Sequence, residues 1–507
     1  MHSPPQSHFG TMIASSAGAV SLRRLLPAAS FIGSADIGVS HITDRSTDCR
    51  PGSVFAALRG RTVDGIDYLD EAISNGACGV LTDRPITSTA VPQCVVSNSR
   101  IAYSEVCRAL AGRPDQRLRV AGVTGTDGKT SVCSMIRKLL ESCGQRCGQL
   151  GTVENYDGVC TETSTLTTDE PPKFWNSLSR MTSNRTTMAA VELSSQALDQ
   201  YRVAGLQLDL AVVTGVTRDH LDYHGTPHAY AAAKGKIFGL VRKGGRAIIN
   251  NDDPGSRDLF AKHNCGIDAI TCSLDGPADL RATDLTSNKT GVRFTFQMAD
   301  FAEQIQTELI GRHNVMNMLL AAAVAAEFGL APEQIAAGLS KIKSPPGRLE
   351  RIVAEPINVF VDYAHTPDAL ARVVDELKQI TQGRLIVVFG AGGGRDADKR
   401  PLLGQAASNA DLAIVTNDNP RNEHPQTIIE HILAGITSTT VEVRPDRCDA
   451  IRLALDAAVP GDCVLIAGKG HETYQEIGTR QISHNDAAFV RRYLSARHPA
   501  TPITACA

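Results

Sequence analysis

The chain has 507 residues, 42% of them apolar and 21% charged, with a formal net charge of −3. That is too long for one core at roughly 150 residues per domain, gives no support for a nucleic-acid surface, and contains no apolar run near the ~18 residues of a membrane span. Thirteen cysteines, an odd number without a C-x-x-C pair, argue against a disulfide framework or structural zinc site and fit a reducing cytoplasm.

In chain order, residues 1–20 are rich in Ser, Pro, Gly and Ala and lack Lys and Arg. They read as a flexible N-terminal extension rather than a signal peptide. Beyond them, short apolar runs alternate with helical patterns, and strands are expected at 118–123, 188–193, 208–213, 246–249, 358–361, 385–389, 412–415 and 463–467. Such alternation predicts α/β domains with parallel sheets, in which ligands bind beyond the carboxyl ends of the strands. Nearly every chemically loaded residue follows one of these runs. A break near 97–99, a helical pattern at 101–110 and a Pro-Gly hinge at 343–347 divide the chain into 21–98, 99–345 and 346–507.

The run at 118–123 feeds a loop of Gly125, Thr126, Asp127, Gly128, Lys129, Thr130 and Ser131, followed by a helical pattern at 132–140. Glycines let backbone N–H groups close around phosphate oxygens, Lys129 supplies a cation, and Thr130 a hydroxyl for Mg²⁺. Glu192 ends the next strand, where a carboxylate reaches phosphate-bound Mg²⁺; a serine-capped strand end is the other reading. Residues 218–225 hold two His and two Asp, either a reactive cluster or a charge-satisfied turn. Lys234, by pattern alone, is a solvated lysine on a helix. Asn314 is a candidate N-cap for a helix at 315–325, and residues 362–368 a strand–turn–helix junction with Pro367 in the first turn. In 418–421, Arg421 offers a planar fork for a carboxylate and Asp418 an acceptor for an ammonium group, which suits a zwitterion. A surface Asn-Pro turn is the alternative.

Taken together, GTDGKTS (125–131), ELSS (192–195), RDHLDYHG (218–225), GRHNVMN (311–317), GRLE (347–350), DYAHTPDAL (362–370), DNPR (418–421) and GKGHETYQ (468–475) resemble the Mur ligases, ATP-dependent amide-forming enzymes of peptidoglycan precursor synthesis. The resemblance covers about 21–494. It implies a three-domain α/β fold: a smaller N-terminal α/β domain for a UDP-sugar (21–98), a central P-loop ATPase-type doubly wound parallel sheet (99–345), and a C-terminal Rossmann-like α/β domain for an amino acid (346–507).

It further implies catalytic roles for Lys129, Glu192, His220 and Lys234, the lysine at 234 being carbamylated. Thr130 and Glu192 would hold one Mg²⁺, and Glu192, His220 and modified Lys234 would surround a second. ATP contacts are implied for Gly125, Thr126, Asp127, Gly128, Lys129, Thr130, Ser131, Asn314, Arg348, Asp362 and His365. Ser46, Thr167, Thr168, Ser194, Gln200 and Arg202 match contacts to the UDP-linked dipeptide, with the turn at 60–65 beside the nucleotide. Arg395, Asp418, Asn419, Pro420, Arg421, Gly468 and Glu472 match contacts to the incoming amino acid.

The implied partners are UDP-N-acetylmuramoyl-L-alanyl-D-glutamate and meso-2,6-diaminopimelate, joined through an acyl phosphate by a monomer in the cytoplasm, without nucleic-acid or membrane partners. Arg421 favours diaminopimelate because lysine lacks a distal carboxylate. An L-lysine-adding member, a folylpolyglutamate synthase and a non-catalytic nucleotide-binding paralogue are the alternatives. The chain departs from the usual pattern at Asp127 (usually Asn), Asp169-Glu170 (Pro-Asp), Gln196 (His) and Arg45-Ser46-Thr47 (Asp-Ser-Arg). Asp127 brings an extra negative charge close to the phosphates.

Overall fold

The computed structural model describes residues 19–497 apart from 61 and 354; residues 1–18 of the expected extension lie outside the described residues. The described chain divides into two compact units. The first holds the residues up to Leu118 with Asp169–Asn184 and Gln200–Leu206; the second holds Arg119–Thr168, Arg185–Asp199 and the residues from Gln207 onward.

In the first unit a five-stranded sheet runs in the order Ser30–Ile32, Gln93–Val95, Ala77–Thr82, Ser53–Ala56, His41–Thr43, parallel except at the Ser30–Ile32 edge. The helix Ser99–Leu110 belongs to this unit, its start fixed by Asn98, whose Oδ1 accepts from the N–H groups of Arg100 and Ile101. The buried Trp175 donates its indole N–H to Ser104 Oγ at 3.1 Å, and that hydroxyl donates to the Arg202 and Ala204 carbonyls. Residues brought in from 169–184 and 200–206 are thus tied to this helix.

The second unit contains an eleven-stranded sheet and a six-stranded sheet. At the heart of the larger one, Arg119–Thr124 lies between Met188–Glu192 and Leu208–Val213, all parallel. Their carboxyl ends therefore carry the glycine loop, Glu192 and Thr214 to one edge. The helices Lys129–Ser142 and Arg312–Glu327 cover this sheet with a continuous apolar core that includes Ile136, Leu139, Leu319 and Leu320. The far side of the sheet ends in three antiparallel strands, Leu280–Asn288, Gly291–Met298 and Phe301–Thr307.

In the six-stranded sheet the order is Glu350–Val353, Asn358–Asp362, Cys463–Ala467, Leu385–Phe389, Leu412–Val415, Thr440–Val443, parallel after the first pair. Its inner strands Leu385–Phe389, Leu412–Val415 and Cys463–Ala467 are apolar at every position because both faces are covered. Phe360, Val387, Ala413 and Leu465 face one core, and Val361, Val388, Ile414 and Ile466 the other. This two-residue alternation follows the pleat. The strand ends align Asp362, Gly468, the loop after Phe389 and the segment from Asp418 along one rim.

Beside this rim Arg447 and Asp486 form a bidentate pair, with both contacts at 2.8 Å and side chains 1% and 0% exposed. Burial pushes the Asp486 carboxyl up, but the Arg447 guanidinium, its hydrogen bonds and His484 outweigh that and hold it far below the usual carboxylate range. A carboxyl held below its unfolded value contributes stability above pH about 4 that is lost as pH falls. Asp486→Asn, which leaves a buried guanidinium unpaired, is expected to lower unfolding free energy by about 3–5 kcal/mol at neutral pH, read by denaturant titration. Unfolding profiles indistinguishable from wild type down to acid pH would contradict this.

Candidate active site

The glycine loop is held from behind by Thr214, whose Oγ1 donates to the Asp127 carbonyl at 2.5 Å. At Gly125 φ is +151, and an added Cβ would lie 1.8 Å from Thr214 Oγ1, so only glycine fits. Thr126 contacts the Tyr230 hydroxyl at 3.1 Å and accepts the Thr217 N–H at 3.0 Å, tying the loop to the 218–225 segment. Lys129, the first residue of the loop helix, folds back to donate to the Gly125 and Thr126 carbonyls at 2.9 and 2.8 Å.

Lys234 donates to the same Gly125 carbonyl at 2.6 Å. It is 1% exposed, so the solvated-lysine reading is corrected: the helix Pro227–Gly235 turns this residue inward, over the Tyr230 ring. Burial, then the positive charge of Lys129, push its pKa well below the ordinary lysine value. Lys129 is lowered too, by burial, with Glu192 and Asp127 pulling the other way.

Glu192 is 1% exposed. Its carboxylate accepts from Thr130 Oγ1 at 3.0 Å and from the Thr152 hydroxyl and N–H at 2.9 Å each. The serine cap is present, since Ser194 Oγ accepts the Ala197 N–H at 3.2 Å. Thr168 bridges the Glu192 carbonyl and the Ser194 N–H, and Thr167 meets the Thr152 hydroxyl. His220 sits 3.4 Å from Asp219. Desolvation, with Lys129, His365 and Lys234 nearby, outweighs Asp219 and lowers the imidazole to about 4, so it is neutral near pH 7. Among the described residues no cluster of three His, Cys, Asp or Glu is arranged to hold a metal by itself.

A cavity of about 640 Å³ opens here, walled by Lys129, Thr130 and His220 on one side and Arg348, Asp362 and His365 on the other. Arg348 donates to Thr130 Oγ1 at 3.1 Å and lies over the Tyr363 ring. The buried Asp362 accepts from the Leu349 and Ala364 N–H groups; burial raises its carboxyl despite Arg348. Asn314 also lines the cavity, but not as an N-cap. The helix begins earlier, at Arg312 after Gly311, and Asn314 Nδ2 donates to the Ile310 carbonyl at 2.8 Å.

Along the rim of the six-stranded sheet, Arg421 pairs with Glu476 at 2.8 Å and donates to the Gly393 carbonyl at 2.8 Å. At Gly468 φ is +110, and a Cβ there would lie 2.6 Å from Asp418 Oδ2. Asn419 donates to Glu472, and Lys469, 0% exposed, donates to both Asn419 and Glu472 at 2.9 and 2.6 Å. Pro420 precedes Arg421 in the turn. Arg395 reaches Asp222 at 3.7 Å, linking this rim to the 218–225 segment.

In the first unit, Ser46 Oγ donates to Glu71 at 2.6 Å. Arg202 bridges Gln200 and Glu170 at 3.0 and 3.1 Å. The turn at 60–65 includes residue 61, outside the described set. The implied dipeptide residues Thr167, Thr168 and Ser194 belong to the second unit. The motif reading missed Thr152, Thr214 and Lys469. Thr214 follows the expected strand at 208–213, which is the signal available for it; Thr152 follows Cys147–Leu150, a strand not expected from the sequence, and Lys469 carries no signal beyond its motif.

The chain matches family models described as "Mur ligase family, catalytic domain" over 38–113, "Mur ligase middle domain" over 123–325 and "Mur ligase, glutamate ligase domain" over 347–470. It is similar to the UDP-N-acetylmuramoyl-L-alanyl-D-glutamate--2,6-diaminopimelate ligase of Geobacillus kaustophilus, 39% identical over 88% of this chain and 93% of that protein. The Synechococcus elongatus protein of the same name is 38% identical over 92% and 96%. A solved structure of a protein so named superposes with a TM-score of 0.68 at 32% identity, covering 95% of this chain and 99% of that one.

Gly125→Ala is expected to displace the loop and weaken nucleotide binding at least about tenfold, as loss of a strong loop contact would. Calorimetric titration with ATP reads the effect; wild-type affinity would contradict the loop geometry described.

Proposed function

The chain belongs to the Mur ligase family, and from that premise we propose that it uses ATP to join meso-2,6-diaminopimelate to the D-glutamyl carboxylate of UDP-N-acetylmuramoyl-L-alanyl-D-glutamate. The observation that carries this reading is the cavity in which Lys129, Thr130 and His220 face Arg348, Asp362 and His365. The similarity to relatives named for this reaction supports it. Among the described residues no helix is long and apolar enough to cross a membrane. A monomer working in the cytoplasm completes the proposal.

The D-glutamyl side-chain carboxylate attacks the γ-phosphorus of ATP, the bond to the bridging oxygen breaks, and ADP leaves. The acyl phosphate is then attacked by an amine of diaminopimelate; phosphate departs and the amine loses a proton. Carboxylate and triphosphate repel, so catalysis is mainly positioning and charge compensation. Lys129 and the N–H groups of the 125–131 loop supply positive potential at the phosphates. Arg348 and Asp362 close the opposite wall, limiting water access to the activated acid.

Magnesium suits these residues. Glu192 is a buried carboxylate with no ion-pair partner among the described residues, beside the Thr130 hydroxyl, and Mg²⁺ prefers hard oxygen ligands with few from protein. Thr130 and Glu192 would hold one ion, and Glu192, His220 and carbamylated Lys234 a second; bound there, magnesium would offset phosphate charge.

Lys234 has the properties that carbamylation requires. Burial and the charge of Lys129 push the Lys234 amine well below the ordinary lysine value, which favours its nucleophilic free-base form. It adds to CO₂, forming an N–C bond and releasing one proton, and the anionic carbamate removes the conflict with Lys129.

For the amino acid, the Arg421 guanidinium, oriented by Glu476 and the Gly393 carbonyl, presents its positive charge to the distal carboxylate. Asp418, and Glu472 held by Lys469 and Asn419, accept from the distal ammonium group. Gly468 leaves room for Asp418, and Arg395 lies on the loop facing Asp222.

Two experiments test the reading. In ligation assays with ATP, Mg²⁺ and the UDP-linked dipeptide, diaminopimelate should couple and lysine should compete poorly. Lys129→Ala should abolish product, and Arg421→Ala should impair diaminopimelate use at least about tenfold while leaving dipeptide binding near wild type. Near-native product from Lys129→Ala, or preferred use of lysine, would refute the assignment. Separately, protein equilibrated with ¹³C-bicarbonate should show a carbamate carbon signal that Lys234→Ala lacks; an identical signal in both would rule out modification at this residue.

A further inference from the structure

The glycine loop carries an acid where its task is to attract anions. Asp127 is 31% exposed at its side chain and lines the cavity, and the Thr214 bond to its carbonyl holds the loop backbone that carries it. A carboxylate carried on this loop repels a triphosphate seated on the neighbouring amides.

A cation reaches it from another element of the same unit. The helix Pro367–Ile380 begins at Thr366, whose Oγ1 caps the Ala369 N–H, and buries Leu370, Val373, Val374 and Leu377 in the six-stranded sheet's core. Its opposite side faces the cavity. There Arg372 Nη2 lies 3.9 Å from Asp127 Oδ2.

Four residues on, and so on the same face, Glu376 meets His313 Nδ1 at 2.6 Å, both side chains largely buried. The Glu376 carboxylate also accepts from the His313 backbone N–H at 3.4 Å. His313 is in the first turn of Arg312–Glu327. The Glu376 contact therefore holds this stretch of helix against the larger sheet's elements and keeps Arg372 opposite the loop. Arg372 itself is 41% exposed at its side chain, and what is held is the helix that carries it.

We propose that Arg372 is the counter-charge that allows a phosphate loop containing Asp127 to accept a nucleoside triphosphate. It cancels the Asp127 carboxylate and so acts as a positioning residue for the phosphates, which it need not touch. The proposal rests on the reading of the cavity as the ATP site. Its distinctive content is mutual dependence: the acid without the arginine repels the nucleotide, and the arginine without the acid has nothing to compensate.

Calorimetric titration of the full-length protein with ATP and Mg²⁺ tests this in four variants. Arg372→Ala should weaken ATP binding about tenfold. Arg372→Lys, which keeps the charge, should stay within about threefold of wild type. Asp127→Asn should bind at least as tightly as wild type, and removing Arg372 in that background should change affinity by less than about twofold. The same loss from removing Arg372 in both backgrounds, or no loss in either, overturns the proposal while leaving the ATP site intact. Failure of the wild-type protein to bind ATP would overturn the reading of the cavity and this proposal with it.

Discussion

Two lysine side chains end on one backbone carbonyl, that of Gly125, and the candidate site is organised around that conflict. Two ammonium groups so close, one of them fully buried, cannot both keep their charge cheaply. The arrangement resolves it by asymmetry. Lys129 faces the cavity, with Glu192 and Asp127 in its field. Lys234 lies behind the loop, walled in by Tyr230. Burial lowers both amines, but the leading charges acting on Lys129 are Glu192 and Asp127, which pull the other way, while Lys234 is pushed down further by the charge of Lys129.

The sheets decide what else can reach this point. Because the loop strand runs between the strands ending in Glu192 and Val213, the carboxylate and the loop's supporting threonine arrive without long connections. The six-stranded sheet does the same for Asp362, Gly468 and the segment from Asp418. Rigid parallel strands set the positions, and the loops beyond them supply the chemistry.

Much of this was legible in the sequence. Every apolar run expected as a strand is one, because strands covered on both faces announce themselves by unbroken hydrophobicity. The antiparallel extension from Leu280 to Thr307 was not read, since its strands alternate apolar and polar residues with Asp, Asn and Arg among them. Asn314 is the third residue of its helix rather than its cap, because the backbone turn at Gly311, not a side-chain cap, starts the helix. Lys234 was read by pattern as solvated because helical spacing shows that a face exists, not which face is buried. Partners far apart in the chain, such as Arg372 for Asp127 or Lys469 for Asn419, leave no local signal. They meet only once the sheets are assembled.

The proposed reaction requires that an acid be activated by phosphoryl transfer before the amine arrives. The most direct measurement is isotopic: the UDP-linked dipeptide is labelled with ¹⁸O in the D-glutamyl side-chain carboxylate, and the phosphate released during ligation is analysed by mass spectrometry. Transfer of one labelled oxygen into each phosphate is the predicted result. Phosphate carrying no label, formed in step with product, would contradict it.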